Sequence, residues 1–198
     1  MSIDACVADY VRRFQGRVSN EMAFYKKQPT LSQAIRVAAS CSGQDGKRHP
    51  HQRRIPKVAL SETERQLLTN TEALGAAEDF DALHRVVNSV IGSIRGVGEL
   101  TVYDVTHRIG AFLDLNPENV YLHAGTREGA AALGFYGKVI EKDRLPATFA
   151  PLTAAEIEDC LCIYKAALSG TGRPPGACGG HGRASACVPE LKPGARPC

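Results

Sequence analysis

Asp81–Leu115, DALHRVVNSVIGSIRGVGELTVYDVTHRIGAFLDL, reads as two helices joined by the four-residue turn Arg95-Gly96-Val97-Gly98. Phe80, Leu83, Val86, Val87, Val90, Ile91 and Ile94 recur at helical spacing and make one apolar stripe. Leu100, Val102, Val105, Ile109, Phe112 and Leu113 make a second. In the turn, Gly96 and Gly98 allow positive φ and a close approach of backbone to a partner. The helix after Gly98 opens with amides that have no intrahelical acceptor, and its dipole adds partial positive charge there. A phosphate oxygen satisfies both, and Arg95 supplies a full charge beside it. Such contacts hold a phosphate backbone without reading bases, so binding is expected to be salt-sensitive and largely sequence-blind. The plain structural alternative is a tight helix–helix corner whose glycines only permit packing.

Outward from this hairpin, the chain repeats the same helical vocabulary. Ser2 caps a helix from Ile3 to Gln15 that stops at Gly16. Thr30 with Gln33, Ser61 with Glu64, and Thr153 with Glu156 have capping-box spacing, the last stapled by Leu152 and Ile157. Asn116-Pro117 is read as the start of a short helix closed at Ala124-Gly125, and Thr126 as the cap of the next, Arg127–Leu133. No alternating strand stands out. The expected fold class is all-α: a single domain of about eight helices over residues 1–168, with the hairpin at 81–115. Beyond it, the Gly/Pro-rich stretch 169–198 reads as a disordered tail. Within that stretch Cys178, His181, Cys187 and Cys198 match no zinc-ligand spacing, so no metal or other cofactor is expected.

With 198 residues, 43% of them hydrophobic, the chain is long enough to bury a real core. A net charge of +3 is only mildly basic, so a nucleic-acid footprint must be a local patch. That patch is the loop Cys41–Lys57, where Lys47, Arg48, Arg53, Arg54 and Lys57 face a single acid, Asp45, with Pro50 and Pro56 barring helix. No window approaches the ~18 apolar residues of a membrane span. Asp4 and Asp9 stand where an export signal carries Lys or Arg, and seven cysteines lack C-x-x-C spacing. A cytoplasmic location is the expectation.

The turn Arg95–Gly98 and its flanking helices resemble the helix-hairpin-helix DNA-binding motif. The wider stretch from Asp81 to Gly134 resembles the helix-hairpin-helix DNA glycosylases, which carry a V-D-T-H-like loop beyond the hairpin with a catalytic aspartate. The resemblance implies an all-α fold, DNA as partner and, where the aspartate is present, base excision. This chain has Val120-Tyr121-Leu122-His123, so Val120 and His123 match while Tyr121 occupies the aspartate's place. A tyrosine, with an ordinary pKa of ~10, does not replace a carboxylate electrostatically. The hairpin and its two helices hold no lysine for a Schiff base, and the cysteine run of iron–sulfur members is absent. GKRHPHQRR, GVGELTVYD and VYLHAGT also give the chain a likeness to uncharacterised bacterial proteins.

Three further polar groups are weighed for chemistry. Asp104 and Arg108, four apart on one helix, read most simply as a surface ion pair. His107, three from Asp104, has the spacing of a carboxylate-oriented imidazole. Gly125, Thr126 and Arg127, next to His123, have the makings of a second anion site at a helix start. The leading expectation is therefore a DNA-binding protein using Arg95, Gly96, Val97 and Gly98 with Lys47, Arg48, Arg53 and Arg54. Two alternatives are a glycosylase-like or other nucleic-acid-processing enzyme using Asp104, His107 or His123, and a protein-interaction module whose hairpin only packs.

Overall fold

The helix that follows the hairpin is buried on nearly every side, and the rest of the chain is arranged around it. The computed structural model describes residues 1–172. Its elements are α1 (Ile3–Arg13), α2 (Arg17–Lys26), α3 (Leu31–Ala39), α4 (Lys57–Thr69), α5 (Thr71–Gly75), α6 (Phe80–Ile91), α7 (Glu99–Leu113), β1 (Val120–Tyr121), α8 (Ala124–Ala131), β2 (Val139–Ile140) and α9 (Ala154–Leu168). The described residues are thus all-α in class, with short 3-10 turns, an isolated bridge of Ser42 with Arg48, and a two-residue antiparallel pairing of Val120 with Ile140 and Tyr121 with Val139. No described helix is long and apolar enough to cross a membrane. The tail reading beyond Gly172, with Cys178, His181, Cys187 and Cys198, lies outside the described residues.

The described residues form two main apolar cores, one of them built on α7. One is built by Ile35, Leu67, Leu74, Leu83, Val87, Ile91, Val102, Val105 and Ile109, from α3 to α7. The other joins α1, the β pairing, α8 and α9 through Val7, Tyr10, Val120, Ile140, Phe149, Ile157, Leu161 and Tyr164. Each fully buried large side chain of this kind contributes roughly 1.5–3 kcal/mol. Phe80, Tyr103 and Tyr121 link α6, α7 and β1, with ring centroids 5.4 to 6.1 Å apart. α8 and α9 pack almost backbone to backbone, since a Cβ on Gly129 would lie 2.2 Å from the Leu161 carbonyl oxygen.

Several local expectations change. The stretch 17–26 forms α2 although its apolar residues make no clean stripe, because it packs chiefly on α7 and α3. α4 starts at Lys57 after Pro56 and not at Ser61; the proline stops the preceding chain and pre-sets the helix entry. No helix begins at Asn116-Pro117; the chain turns there into β1, whose Val120 and Tyr121 are both buried. α8 begins at Ala124 with His123 as its cap, so Ala124-Gly125 opens a helix where a stop was read, and Thr126 lies inside it. Thr153 and Glu156 form the full reciprocal capping box, and Thr30 accepts from the Gln33 amide at 3.2 Å.

Candidate functional site: the hairpin, its basic strap and two clefts

The hairpin turn is longer than its glycines suggest. α6 ends at Ile91, and seven residues, 92–98, connect it to α7. Ile94 donates to Ile91 O at 3.1 Å and Val97 to Ile94 O at 2.9 Å, so the connection is two tight turns. Gly96 has φ +98°, which favours glycine. Gly98 does not: its φ of −108° and ψ of 175° are ordinary extended backbone, and it caps α7 without a side-chain contact. The first intrahelical bond is Val102 N–H to Gly98 O at 3.0 Å, which leaves the first-turn amides without helical acceptors.

Gly96 is close to a partner, and the partner is the same chain. A Cβ there would lie 3.3 Å from Pro56 Cδ and 3.8 Å from Ala59 Cβ. The hairpin therefore sits against the end of the basic loop and the start of α4. Arg95, Arg53, Arg54 and Lys57 are all exposed. The loop itself is strapped down. Arg48 is half-buried and donates to Ile55 O at 2.9 Å, His49 N–H bonds Cys41 O at 2.9 Å, and His49 Nε2 meets the Tyr25 hydroxyl at 2.8 Å. Arg48 is thus a brace within the loop, and Lys47 stands 3.9 Å from Asp45. Pro50–Gln52 makes a single 3-10 turn that buries Gln52 and leaves His51 exposed beside it.

Both of those residues land on α7. His51 Nε2 is 2.8 Å and Gln52 Nε2 2.9 Å from Asp104 Oδ2. Asp104 is therefore no partner in a surface pair, and Arg108, only 2% exposed, is not a surface residue at all. Arg108 lies over the Tyr25 ring at 5.5 Å, its nearest carboxylate is Glu21 at 3.9 Å, and its Nε and Nη1 have no partner. Burial opposes ionisation of Asp104, yet the His51 hydrogen bond and the Arg108 charge prevail, and its pKa lies below the usual carboxylate value. Burial holds His107 neutral, with its pKa down to about 4, and does the same to His49.

Between the two cores is a cleft of about 120 Å3, lined by Glu21 of α2, Asp104, His107 and Arg108 of α7, Asp159 of α9 and His123, the cap of α8. It unites the three residues singled out for chemistry, Asp104, His107 and His123. His123 is 5% exposed, and its Nε2 pairs with Glu158. The buried Thr126 hydroxyl donates to Glu158 at 2.8 Å, Gly125 faces Cys162, and Arg127 pairs with Glu99. The proposed anion site at Gly125–Arg127 is thus filled by the protein's own groups. Asp159 has its pKa raised to about 6 by burial and by Glu158, and accepts from the Tyr10 hydroxyl at 3.1 Å. Sequence reading missed Glu21, His51, Glu158 and Asp159; the one available signal was the Glu158-Asp159 pair inside the apolar run AAEIEDCLCIY.

Tyr103 and His123 form a wall, and on its far side lies a larger groove of about 310 Å3 between α6 and the β pairing. His84 and Tyr121 lie there as tilted rings with centroids 4.6 Å apart, and Tyr121 donates to Asp81 at 2.5 Å. Among the described residues no cluster of His, Cys, Asp and Glu is placed to hold a metal ion, and Cys6, Cys41 and Cys160 are free thiols. Fold and site together define an all-α protein that sets a glycine hairpin beside a basic strap and encloses a carboxylate–imidazole cleft. No protein-family model, curated protein or solved structure matches the chain.

Proposed function

We propose that the protein binds DNA through the phosphate backbone, largely without sequence preference, using the hairpin and the adjoining strap as one surface. The contact of Gly96 with Pro56, 3.3 Å from a Cβ position to Cδ, is the observation that carries this. It brings the segment of exposed Arg95 next to the segment that holds exposed Arg53, Arg54 and Lys57, so four exposed cations lie on the two segments that meet there, just before α7. Glu99, the acid nearest that mouth, is ion-paired with Arg127. Arg53→Ala and Arg54→Ala together should weaken binding to unrelated duplexes by a common factor, about tenfold or more at low salt. Loss on one sequence only would overturn backbone binding, and absence of duplex binding at low salt would remove the function.

The interlobe cleft supports a second function, a nucleic-acid-processing enzyme. Asp104, His107 and His123 line it together, and Asp159, protonated below about pH 6, is suited to act as a general acid. Incubation of DNA with the protein and with Asp159→Asn is the test: a product formed by the first alone supports it, and no product from either refutes it.

A further inference from the structure

We propose that the groove beside the hairpin receives an unpaired nucleotide, so that the protein takes single-stranded DNA in preference to a plain duplex. This rests on the DNA-binding function above and adds the form of the substrate. Three features of the groove carry it. Its volume of about 310 Å3 falls at the lower end of the ~300–1,000 Å3 typical of ligand pockets, whereas the interlobe cleft, at about 120 Å3, does not reach that range.

Its floor is aromatic. Tyr121 lies 4.6 Å from His84, with the two rings tilted against each other, and 5.6 Å from Tyr103, and burial lowers the pKa of the half-buried His84 ring. A partly exposed aromatic ring in a groove is a surface on which any base can stack. Its rim is cationic: Arg85 comes from α6 and Lys138 from the chain entering β2, both exposed and neither ion-paired with another described residue. Stacking rings between backbone-tracking cations form the combination that binds single strands without sequence preference. Bases in a duplex are stacked and paired inside the helix and cannot present a face to this floor.

The groove is also continuous with the hairpin. Glu99, the first residue of α7 after Gly98, and Arg127 line its near end. A strand whose phosphate sits at the hairpin therefore needs to run only past this neutralised ion pair to lay its next base over His84.

The experiment compares a 12-nucleotide dT oligomer carrying one central 2-aminopurine with a duplex of the same length, by fluorescence anisotropy and by 2-aminopurine quenching, on the full chain. Tyr121 is left intact because it is buried. Arg85→Ala with Lys138→Ala is expected to weaken single-strand binding about tenfold and duplex binding less than twofold. His84→Ala is expected to abolish the quenching. Arg53→Ala with Arg54→Ala should weaken both forms. If the groove variants bind the oligomer like the parent while the strap variants do not, the groove is no strand site and the hairpin function stands. If AMP displaces the oligomer at equal nucleotide concentration, the groove is a mononucleotide site and the strand proposal falls. If neither DNA form binds at low salt, both fall together.

Discussion

Replacing the two hairpin glycines separately divides folding from binding. Gly96 has φ +98° and a Cβ position 3.3 Å from Pro56 Cδ. Alanine there meets the positive-φ penalty of about 1–2 kcal/mol, and the Pro56 ring must also give way. A total near 2 kcal/mol corresponds to a fall of roughly 4–8 °C in Tm for a domain of this size. Gly98, at φ −108°, has no atom within 4 Å of its Cβ position. Alanine there gains roughly 0.4–1 kcal/mol through the unfolded chain and gives back about half a kcal/mol or so as a poorer helix cap. Its net effect on stability is close to zero. Its methyl group takes up the open space beside the first turn of α7, where a phosphate would sit, and is expected to weaken duplex binding about fivefold or more. Thermal melts and DNA anisotropy on both variants decide the matter. If Gly98→Ala melts and binds like the parent, the amides of α7 hold no phosphate and the hairpin is a packing corner.

Three further outcomes are expected. Asp159 binds its proton more tightly when folded, at about 6 against an ordinary 3.8, so its favourable contribution is complete below about pH 4 and is lost as pH rises through about 6. Asp159→Asn should therefore gain about 2–3 kcal/mol relative to the parent between pH 4 and pH 8, and a pH-independent difference in urea melts would contradict this. Asp104→Asn removes the charge that holds His51 and balances Arg108; a loss of about 3 kcal/mol is expected, with faster tryptic cleavage after Arg53 or Arg54 as the strap loosens, and unchanged cleavage would show that the strap is held elsewhere. Glu99→Gln removes an acid from the hairpin mouth and releases Arg127, so DNA affinity should rise about two- to threefold at low salt, and weaker binding would mean the ion pair orders the site.

How much of this was legible in the sequence depends on whether a feature is local. The apolar stripe of α6, the Ser2, Thr30 and Thr153 caps, and the cations of the loop before Pro56 depend on neighbours a few residues away, and these appear where spacing placed them. α7 is different. Periodicity assigned it one apolar face, yet Thr101, Thr106, His107, Arg108 and Gly110 are buried as well. Its polar side faces α2, α3 and the folded-in strap rather than water, which no helical repeat encodes. The interlobe cleft was equally hidden, because Glu21, Asp104, His123 and Asp159 come from distant parts of the chain and meet only through packing. Tyr121 is instructive in another way: it is a buried ring that donates to Asp81 on α6, a contact across forty residues that local spacing does not announce.

The central claim, a phosphate backbone held by hairpin and strap together, is tested most directly by the salt dependence of duplex affinity. Four cations at that surface, Arg53, Arg54, Lys57 and Arg95, predict a slope of log K against log salt of about −3.6, at about −0.9 for each neutralised phosphate. Arg95→Ala should make that slope about one unit shallower without lowering Tm. A parent slope near zero, or a slope unchanged by Arg95→Ala, would contradict the claim.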